Sequence, residues 1–275
     1  MTSKHYIGIT GFVSDDDILC AAECAETVRA VVPSHRLMAG VLVSWRGLAG
    51  IQHTSRRYPR IEAVDGILRK LLHAGCWPVV HYNTSNNGAE MRRELERLAE
   101  MFPAMFGLQL NVVRPDPAEV AAFAAQHPEV EVILQVNSTS LGVGPSAITP
   151  GDYIARYDGI RHALLDASGG TGKRIVPEGV AATIRSTYDV AVDRGVRLGF
   201  AGGLGPDCGT ALAHVRRELE YFHIGLEQLS VDAESGVRSP AAASLAIPGE
   251  KHQDDMDPEK AREYTLDAAS IVMRG

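Results

Sequence analysis

Lysine is scarce in this 275-residue chain, because 5 of its 27 basic residues are lysines and the other 22 are arginines. Four of the lysines lie outside the predicted strands, and the fifth, Lys173, belongs to a glycine-rich loop. A lysine that forms a Schiff base must stand inside the active site. The sequence therefore disfavours Schiff-base aldolase chemistry.

Metal-binding and disulfide motifs are also missing. The ten histidines show neither HxH nor HExxH spacing, so we predict no catalytic metal, and we expect no cofactor. The four cysteines, Cys20, Cys24, Cys76 and Cys208, lie in apolar segments. Buried free thiols in a reducing cytoplasm are the interpretation we favour over a metal site.

Net positive charge and long apolar runs are absent as well. The net charge is -7, so no basic field would attract the phosphates of a nucleic acid. No apolar run reaches the length of a signal peptide or a membrane span. We expect a cytoplasmic protein whose partner is a small molecule, with neither nucleic acid nor membrane involved, and a homodimer is left open.

Short apolar runs alternate with helical segments along the whole chain. Near-continuous apolar runs are typical of strands that are buried on both faces of a parallel sheet. Eight strand–helix pairs predict an α/β fold, a (β/α)₈ TIM barrel, as a single domain over residues 1–275. The predicted strands are Tyr6–Thr10, Leu37–Val43, Trp77–Tyr82, Phe106–Val112, Val130–Val136, Ala163–Asp166, Leu198–Ala201 and Gln228–Val231.

Three predicted loops are longer than is usual in this fold, at residues 44–61, 137–152 and 239–257. Loops this long in a compact domain are usually functional lids or disordered segments. The first two follow the second and fifth predicted strands, so they would open on the catalytic face of a barrel. For residues 137–152, a mobile flap and a tolerated surface insertion are equally good interpretations.

Glycine-bearing loops follow the last three predicted strands. They read "LLDASGGTGK" from residue 164, "AGGLGPD" from residue 201 and "SVDAESGV" from residue 230. Asp166 is the last residue of the sixth predicted strand. Glycine amides approach a phosphate closely because glycine has no Cβ, and the loops after strands 7 and 8 commonly bind phosphate. We predict a phosphate site at Gly202, Gly203, Ser235 and Gly236.

These three motifs resemble the signatures of phosphoribosylanthranilate isomerase, the TIM barrel of tryptophan biosynthesis. The resemblance extends to "SRRYPRIEAV" at 55–64, "LQLN" at 108–111 and "DPEKAREY" at 257–264, in the family's order, and its C-terminal half is the more specific. It implies an aldose–ketose isomerase of the Amadori type. The implied substrate is a phosphorylated sugar of the phosphoribosyl amine kind.

The resemblance also implies roles for individual residues. Asp166 aligns with the family's general acid, and Arg57 most nearly with the arginine that binds the substrate's carboxylate. Gly170 joins the phosphate loops. Asp232 stands where a carboxylate usually holds a sugar hydroxyl.

The family's catalytic base has no counterpart here. Its cysteine is replaced by Thr10, whose hydroxyl cannot act as a thiolate would near pH 7, and the histidine of its fourth-strand motif is Asn111. The candidate bases by position are His81, Asp232 and a water held by Thr10 and Asn111. We therefore expect phosphoribosylanthranilate itself to be a poor substrate.

Two other functions remain open at this point. A lyase or hydrolase acting on a related phosphosugar needs the acid without a base at C2, and a non-catalytic phosphosugar-binding protein needs neither. Asp166 also has a structural interpretation as a cap or ion-pair partner. A carboxylate that closes an apolar strand beside a phosphate loop favours catalysis instead.

Overall fold

The computed structural model describes residues 3–84, 88, 90–112, 114–142, 146–166, 175–242, 245 and 252–274. Within them, eight parallel strands close into a barrel in which each strand pairs with its sequence neighbours and β1 pairs with β8. The predicted (β/α)₈ TIM barrel is confirmed. The strands are β1 (His5–Thr10), β2 (His35–Ser44), β3 (Trp77–Asn83), β4 (Gly107–Leu110), β5 (Glu131–Val136), β6 (Ile160–Asp166), β7 (Arg197–Ala201) and β8 (Ser230–Ala233).

Helices separate successive strands and cover the outside of the barrel. They are α1 (Asp15–Val31), α2 (Trp45–Leu48), α3 (Val64–His73), α4 (Met91–Met101), α5 (Pro117–Gln126), α6 (Ser138–Leu141), α7 (Pro150–Ile154), α8 (Pro177–Asp193), α9 (Cys208–Glu220) and α10 (Pro258–Met273). Ser14 and Asp17 form a reciprocal capping box at the start of α1. In the described part of the chain, none of the helices has both the length and the apolar character needed to cross a bilayer.

Each of the eight strands differs from its predicted limits by one to three residues, and the differences in β4 and β8 move candidate site residues. β4 is shorter at both ends, so Asn111 lies just beyond it. β8 starts later and ends later than predicted, because Leu226–Gln228 form a 3₁₀ helix ahead of it. The shift places Asp232 inside β8, between two outward-facing residues, Val231 and Ala233, that pack in the outer core. Since side chains alternate along a strand, Asp232 faces the barrel interior.

The long loop that follows β8 contains a small antiparallel hairpin. Its strands are β9 (Arg238–Pro240) and β10 (Asp254–Met256), and Asp257 then caps α10 by accepting hydrogen bonds from two backbone amides. The other two long loops contain short helices, namely α2 in the first and α6 with the start of α7 in the second. These loops are therefore partly regular structure, which the sequence pattern does not predict.

Side chains fill the barrel interior at its N-terminal end. The inward-facing apolar residues form a cluster of their own. Below it, Arg36 Nη2 donates to Glu131 Oε2 over 2.7 Å, and His162 Nε2 lies 2.8 Å from the same oxygen. Because this end is filled, the cavity described below opens at the C-terminal end of the barrel. The cluster consists of Tyr6, Met38, Trp77, Val79, Ile133 and Leu164.

The loops after β7 and β8 pack backbone against backbone. A Cβ on Gly236 would collide with the carbonyl oxygen of Leu204, and a Cβ on Gly205 would lie 2.8 Å from the carbonyl oxygen of Gly236. Side chains are excluded at these two positions by the contact itself. The glycine at position 236 therefore has a structural explanation that does not require a ligand.

Replacing Gly236 by alanine should lower the free energy of unfolding by about 1–3 kcal/mol, because the new methyl group has to push two loops apart. The matched control is Gly66→Ala in α3, where nothing lies within 4 Å of the added Cβ. That change should raise the free energy of unfolding by about 0.5–1 kcal/mol, since alanine is the better helix former. Urea denaturation of both variants measures the difference. A Gly236→Ala variant as stable as the parent would show that the loops are not in contact.

Candidate active site

A cavity of about 70 Å³ opens at the C-terminal end of the barrel. Inward-facing residues at the ends of β3 to β8 form its walls, and the turns after β7 and β8 form its rim. This is the face on which TIM-barrel enzymes carry their active sites. The cavity brings together seven of the residues that the sequence singles out: His81, Asn111, Asp166, Gly202, Gly203, Asp232 and Ser235.

Asp166 and Asp232 stand at the same level of the barrel. Asp166 is in register with Ala201 on β7, and Ala201 is in register with Asp232 on β8. Adjacent strands are about 4.8 Å apart, so the two Cα atoms are separated by about 10 Å. Two carboxyl groups therefore face one small cavity from strands on either side of β7.

Asp232 is the more unusual of the two carboxyl groups. Its side chain lies over Gly8 of β1, where a Cβ would collide with Oδ1, and this oxygen has no hydrogen-bond partner among the described residues. Burial, together with the nearby carboxylates of Glu234 and Asp166, raises the pKa of Asp232 well above its usual range. The structure therefore favours the protonated form, which is the form that a general acid needs.

Asp166 lies in a different environment. It is buried, and its Oδ2 accepts a hydrogen bond from Gln135 Nε2 over 2.8 Å. This contact fixes the orientation of the carboxyl group toward the cavity. The predicted phosphate residue Gly170 lies in the segment 167–174, which is outside the described residues.

His81 is the titratable base candidate in the same cavity. Its ring is buried, and Gln109 Nε2 lies 3.4 Å from Nδ1. Burial lowers the pKa of His81, although the charges of Glu234 and Asp166 act in the opposite direction. A neutral imidazole has a nitrogen lone pair that can accept a proton. His81 therefore remains a candidate base.

Thr10 is close to the cavity without lining it. Its side chain is fully buried against β2, where a Cβ on Gly40 would lie 2.5 Å from Oγ1. Within the described residues, Oγ1 has no hydrogen-bond partner. Asn111 does line the cavity, from the loop after β4. A water held by Thr10 and Asn111 stays one of the alternative candidates for the base.

Arg57 has contacts that the resemblance does not suggest. Its Nε and Nη2 donate to the two carboxylate oxygens of Asp254 over 2.8 and 2.6 Å, and its Nη1 donates to Glu234 Oε1 over 2.6 Å. The guanidinium group therefore already binds two carboxylates of this chain. Its predicted role in binding a substrate carboxylate is untested, and these contacts argue against it.

Asp254 is held by a second arginine as well. Arg238 Nε donates to Asp254 Oδ1 over 2.7 Å, and the Arg238 side chain is 1% exposed. Burial alone would raise the pKa of Asp254, but the hydrogen bonds from Arg57 and Arg238 outweigh it and lower the pKa. Arg56 adds a two-bond pair with Asp255. The two adjacent arginines of the loop after β2 thus hold the β9–β10 hairpin.

Sequence reasoning missed three cavity residues: Gln109, Gln135 and Glu234. Both glutamines interrupt strongly apolar strands near their C-terminal ends, in "LQL" and "LQV". A polar residue at that position of a barrel strand is a usable signal, because this end of the strand carries the active site. Glu234 lies within a quoted motif, but nothing local marks its contact with Arg57.

The cysteines and histidines form no alternative centre. All four cysteines are buried free thiols. Across the residues that the structure describes, no group of three or more His, Cys, Asp or Glu side chains could hold a metal ion. The arrangement around the cavity is therefore a set of carboxyl, amide and imidazole groups.

No family model and no curated protein matches the chain, but solved structures do. An endo-β-1,4-glucanase from Xanthomonas axonopodis pv. citri is 13% identical with a TM-score of 0.57, over 98% of this chain and 100% of that one. Active domain 2 of a Pyrococcus furiosus chitinase is 11% identical with a TM-score of 0.52, over 98% and 96%. A D-psicose 3-epimerase studied with D-fructose is 11% identical with a TM-score of 0.52, over 99% and 100%. The likeness shows a shared fold, which many unrelated functions use.

Asp232→Asn should make the protein less sensitive to rising pH. The folded state holds the Asp232 proton at pH values where the unfolded chain, with a pKa of about 3.9, has lost it. The proton on Asp232 therefore makes its full contribution to the free energy of unfolding below about pH 3.9. As the pH rises from there to the raised pKa of the folded state, the free energy of unfolding decreases by at most about 1.4 kcal/mol per pH unit. The variant lacks this loss, so its stability relative to the parent should increase with pH.

Free energies of unfolding from urea titrations between pH 5 and pH 8 test this expectation. Asp189→Asn on the exposed face of α8 is the matched control, because it makes the same substitution outside the cavity. Parallel curves for the parent and Asp232→Asn would contradict the proposed burial of a protonated carboxyl group.

Proposed function

We propose that this chain is an enzyme that converts a phosphorylated aldosylamine into the corresponding ketose by acid–base catalysis, as the resemblance to phosphoribosylanthranilate isomerase implies. The observation that carries the proposal is the pair of carboxyl groups, Asp166 and Asp232, which face one cavity from two different environments. Carboxyl groups whose environments differ in this way commonly divide acid and base roles. A fold shared with carbohydrate-active enzymes agrees with a sugar substrate.

The environments favour Asp232 as the proton donor. In the proposed reaction it protonates the ring oxygen, the C1–O bond breaks, and the nitrogen lone pair forms the C1=N⁺ bond of an iminium ion. A base then removes the C2 proton, and the electrons of that C–H bond form the C1=C2 bond of a neutral enolamine. Tautomerisation of the enolamine gives the ketose.

Asp166 is the base that we favour for the C2 proton. Gln135 orients its carboxyl group, and it faces the cavity at the same level as Asp232. The resemblance implies that Asp166 is the general acid, whereas here it is proposed as the base. This assignment supplies the base that Thr10 cannot provide. His81 is the second base candidate, since burial favours its neutral form.

The phosphate is proposed to lie at the rim, on the turns after β7 and β8. Gly202 and Gly203 have φ values of 134° and 58°, which side chains rarely adopt. Successive backbone N–H groups in such turns form concave anion sites. Ser235 begins a short 3₁₀ turn on the opposite side of the rim. The geometry of these turns supports the phosphate site predicted at Gly202, Gly203 and Ser235, which stays a proposal.

A lyase or hydrolase acting on a related phosphosugar is the second candidate. Two carboxyl groups that flank a cavity also suit the cleavage of a bond at the anomeric carbon, where one acts as the acid. The products separate the two functions. Isomerisation gives a single ketose that retains the amine, whereas hydrolysis releases a free sugar and the amine.

Asp232→Asn and Asp166→Asn should each lower kcat for a phosphoribosylamine substrate by about 10²–10⁴-fold, the usual contribution of a general acid or base. KM should change little, because the amide keeps the shape of the carboxyl group. The assay follows ketose formation by NMR over a panel of N-substituted 5-phosphoribosylamines that includes the anthranilate. Glu100→Gln, on the exposed end of α4, is the control and should leave turnover unchanged.

The result for the panel decides between the functions. If no member is turned over while 5-phosphosugars bind, the chain is a binding protein and the proposal fails. Efficient turnover of phosphoribosylanthranilate would contradict the expectation drawn from Thr10 and Asn111. Full activity in both aspartate variants would move the chemistry to other residues.

A further inference from the structure

Three buried oxygen atoms in the cavity wall have no hydrogen-bond partner among the described residues: Gln109 Oε1, Gln135 Oε1 and Asp232 Oδ1. Their side chains are 1%, 5% and 5% exposed, and all three residues line the cavity. The orientation of Gln135 is fixed, because its Nε2 donates to Asp166. Buried acceptors without partners are costly, so they indicate a ligand that donates several hydrogen bonds.

The charged side chains that the structure describes in the same wall have one sign. Asp166, Asp232 and Glu234 line the cavity, and no lysine or arginine does so in the part of the chain that the structure describes. The nearest arginine, Arg57, is 7% exposed and is bound between Glu234 and Asp254. Burial favours the neutral form of His81. A negative group on the ligand would therefore be repelled at this depth, and a positive group attracted.

We propose that the cavity is a subsite for the positively charged nitrogen of the iminium ion, with Asp232 and the amide oxygens of Gln109 and Gln135 in its wall and Glu234 at its rim. The iminium ion of the proposed reaction carries an N–H donor for the unpaired oxygens and a charge for the carboxylates, and it forms as Asp232 gives its proton to the ring oxygen. The inference rests on the proposed function and narrows its substrate class. The amine joined to the sugar is a basic aliphatic amine and not an anionic aromatic one.

The occupied state of Arg57 supports this choice of amine. An aromatic amine that carries a carboxylate needs a cation in the site to bind it. Arg57 makes its charge-assisted contacts with Asp254 and Glu234 instead. Releasing Arg57 would leave Asp254 with Arg238 as its remaining arginine partner, and it would leave the partly buried Glu234 without its arginine. The chain thus lacks, among its described residues, a free arginine for an anionic aglycone in this cavity.

Binding of a stable cation in place of the iminium ion should release a proton from Asp232, the same proton that Asp232 gives to the ring oxygen in the proposed reaction. The groups that face Asp232 are Glu234 beyond β8, Asp166 on β6, Tyr6 on β1 and Tyr264 on α10. Burial keeps both tyrosines neutral, so the carboxylates set the charge around it. A positive charge placed between Asp232 and Glu234 offsets their repulsion and favours ionisation of Asp232. The affinity for a cation should therefore increase with pH.

Two ring compounds that differ in one atom test the proposal. They are 1,4-dideoxy-1,4-imino-D-ribitol, whose ring nitrogen is protonated at pH 7, and 1,4-anhydro-D-ribitol, whose ring atom is a neutral oxygen. Calorimetry of the full chain in the presence of EDTA should show the imino compound binding about 10- to 100-fold more tightly, the ratio expected for a hydrogen-bonded charge. Titrations in buffers of different ionisation enthalpy should show proton release on binding of the imino compound.

Glu234→Gln should reduce this ratio to a few-fold, and Asp232→Asn should abolish the proton release. Glu100→Gln should change neither. Thermal unfolding shows whether each variant is folded. If Glu234→Gln does not fold, the test uses the loss of proton release in Asp232→Asn. Equal affinities, no binding of either compound, or a ratio that survives both cavity variants would overturn the subsite.

These outcomes are independent of the turnover assay. The imino compound carries no phosphate and undergoes no reaction, so its preference can hold when isomerisation of phosphoribosylamines fails. Conversely, an active isomerase that shows no preference for the imino compound would retain the proposed function and lose the subsite. An advantage that appears only without EDTA would assign the site to a metal ion and also overturn the proposal.

Discussion

Asp254 lies between the guanidinium groups of Arg57 and Arg238, and Arg57 reaches from there to Glu234. Arg238 also donates to the carbonyl oxygen of Gly11 over 3.2 Å. These contacts join the turn after β1, the loop after β2, the end of β8 and the β9–β10 hairpin. Buried charges are costly when a partner is lost, so the four segments hold one another in place. The shape of the cavity mouth depends on this network.

The network has a second effect, on the carboxyl groups inside the cavity. Asp166 and Asp232 are fixed by their strands, and the contact with Arg57 keeps Glu234 near them. Repulsion between the three carboxyl groups cannot relax by moving one side chain into solvent, and it is relieved instead by a proton on Asp232. The closed barrel thus maintains an unfavourable arrangement that a flexible loop could not. Proteins commonly accept such a loss of stability at sites where a perturbed carboxyl group performs chemistry.

Periodicity in the sequence was enough to predict the barrel, because each strand is a short apolar run that both the helices and the interior cover. The limits of β8 could not be read in this way, since "QLSV" and "SVDA" are equally good short strands without knowledge of the pairing with β1. Asp166 is marked by the glycine-rich segment that follows its apolar strand, and Asp232 by the resemblance to phosphoribosylanthranilate isomerase. The partner of Arg57 was not, because Asp254 is 197 residues away in the chain and no local pattern links them.

The same separation has a consequence for how the chain assembles. Strand β1 cannot pair with β8 until residues 230–233 have been synthesised, and Arg57 cannot bind Asp254 until residue 254 has been synthesised. Contacts between such distant residues are expected to form late, because closing the long loop between them has a large entropic cost. During synthesis from the N-terminus, β1 therefore has an unpaired edge, and Arg57 has no carboxylate partner, until the later residues are present. The contacts around the mouth of the barrel join residues that are far apart in the sequence, and we expect them to form after neighbouring strands have paired.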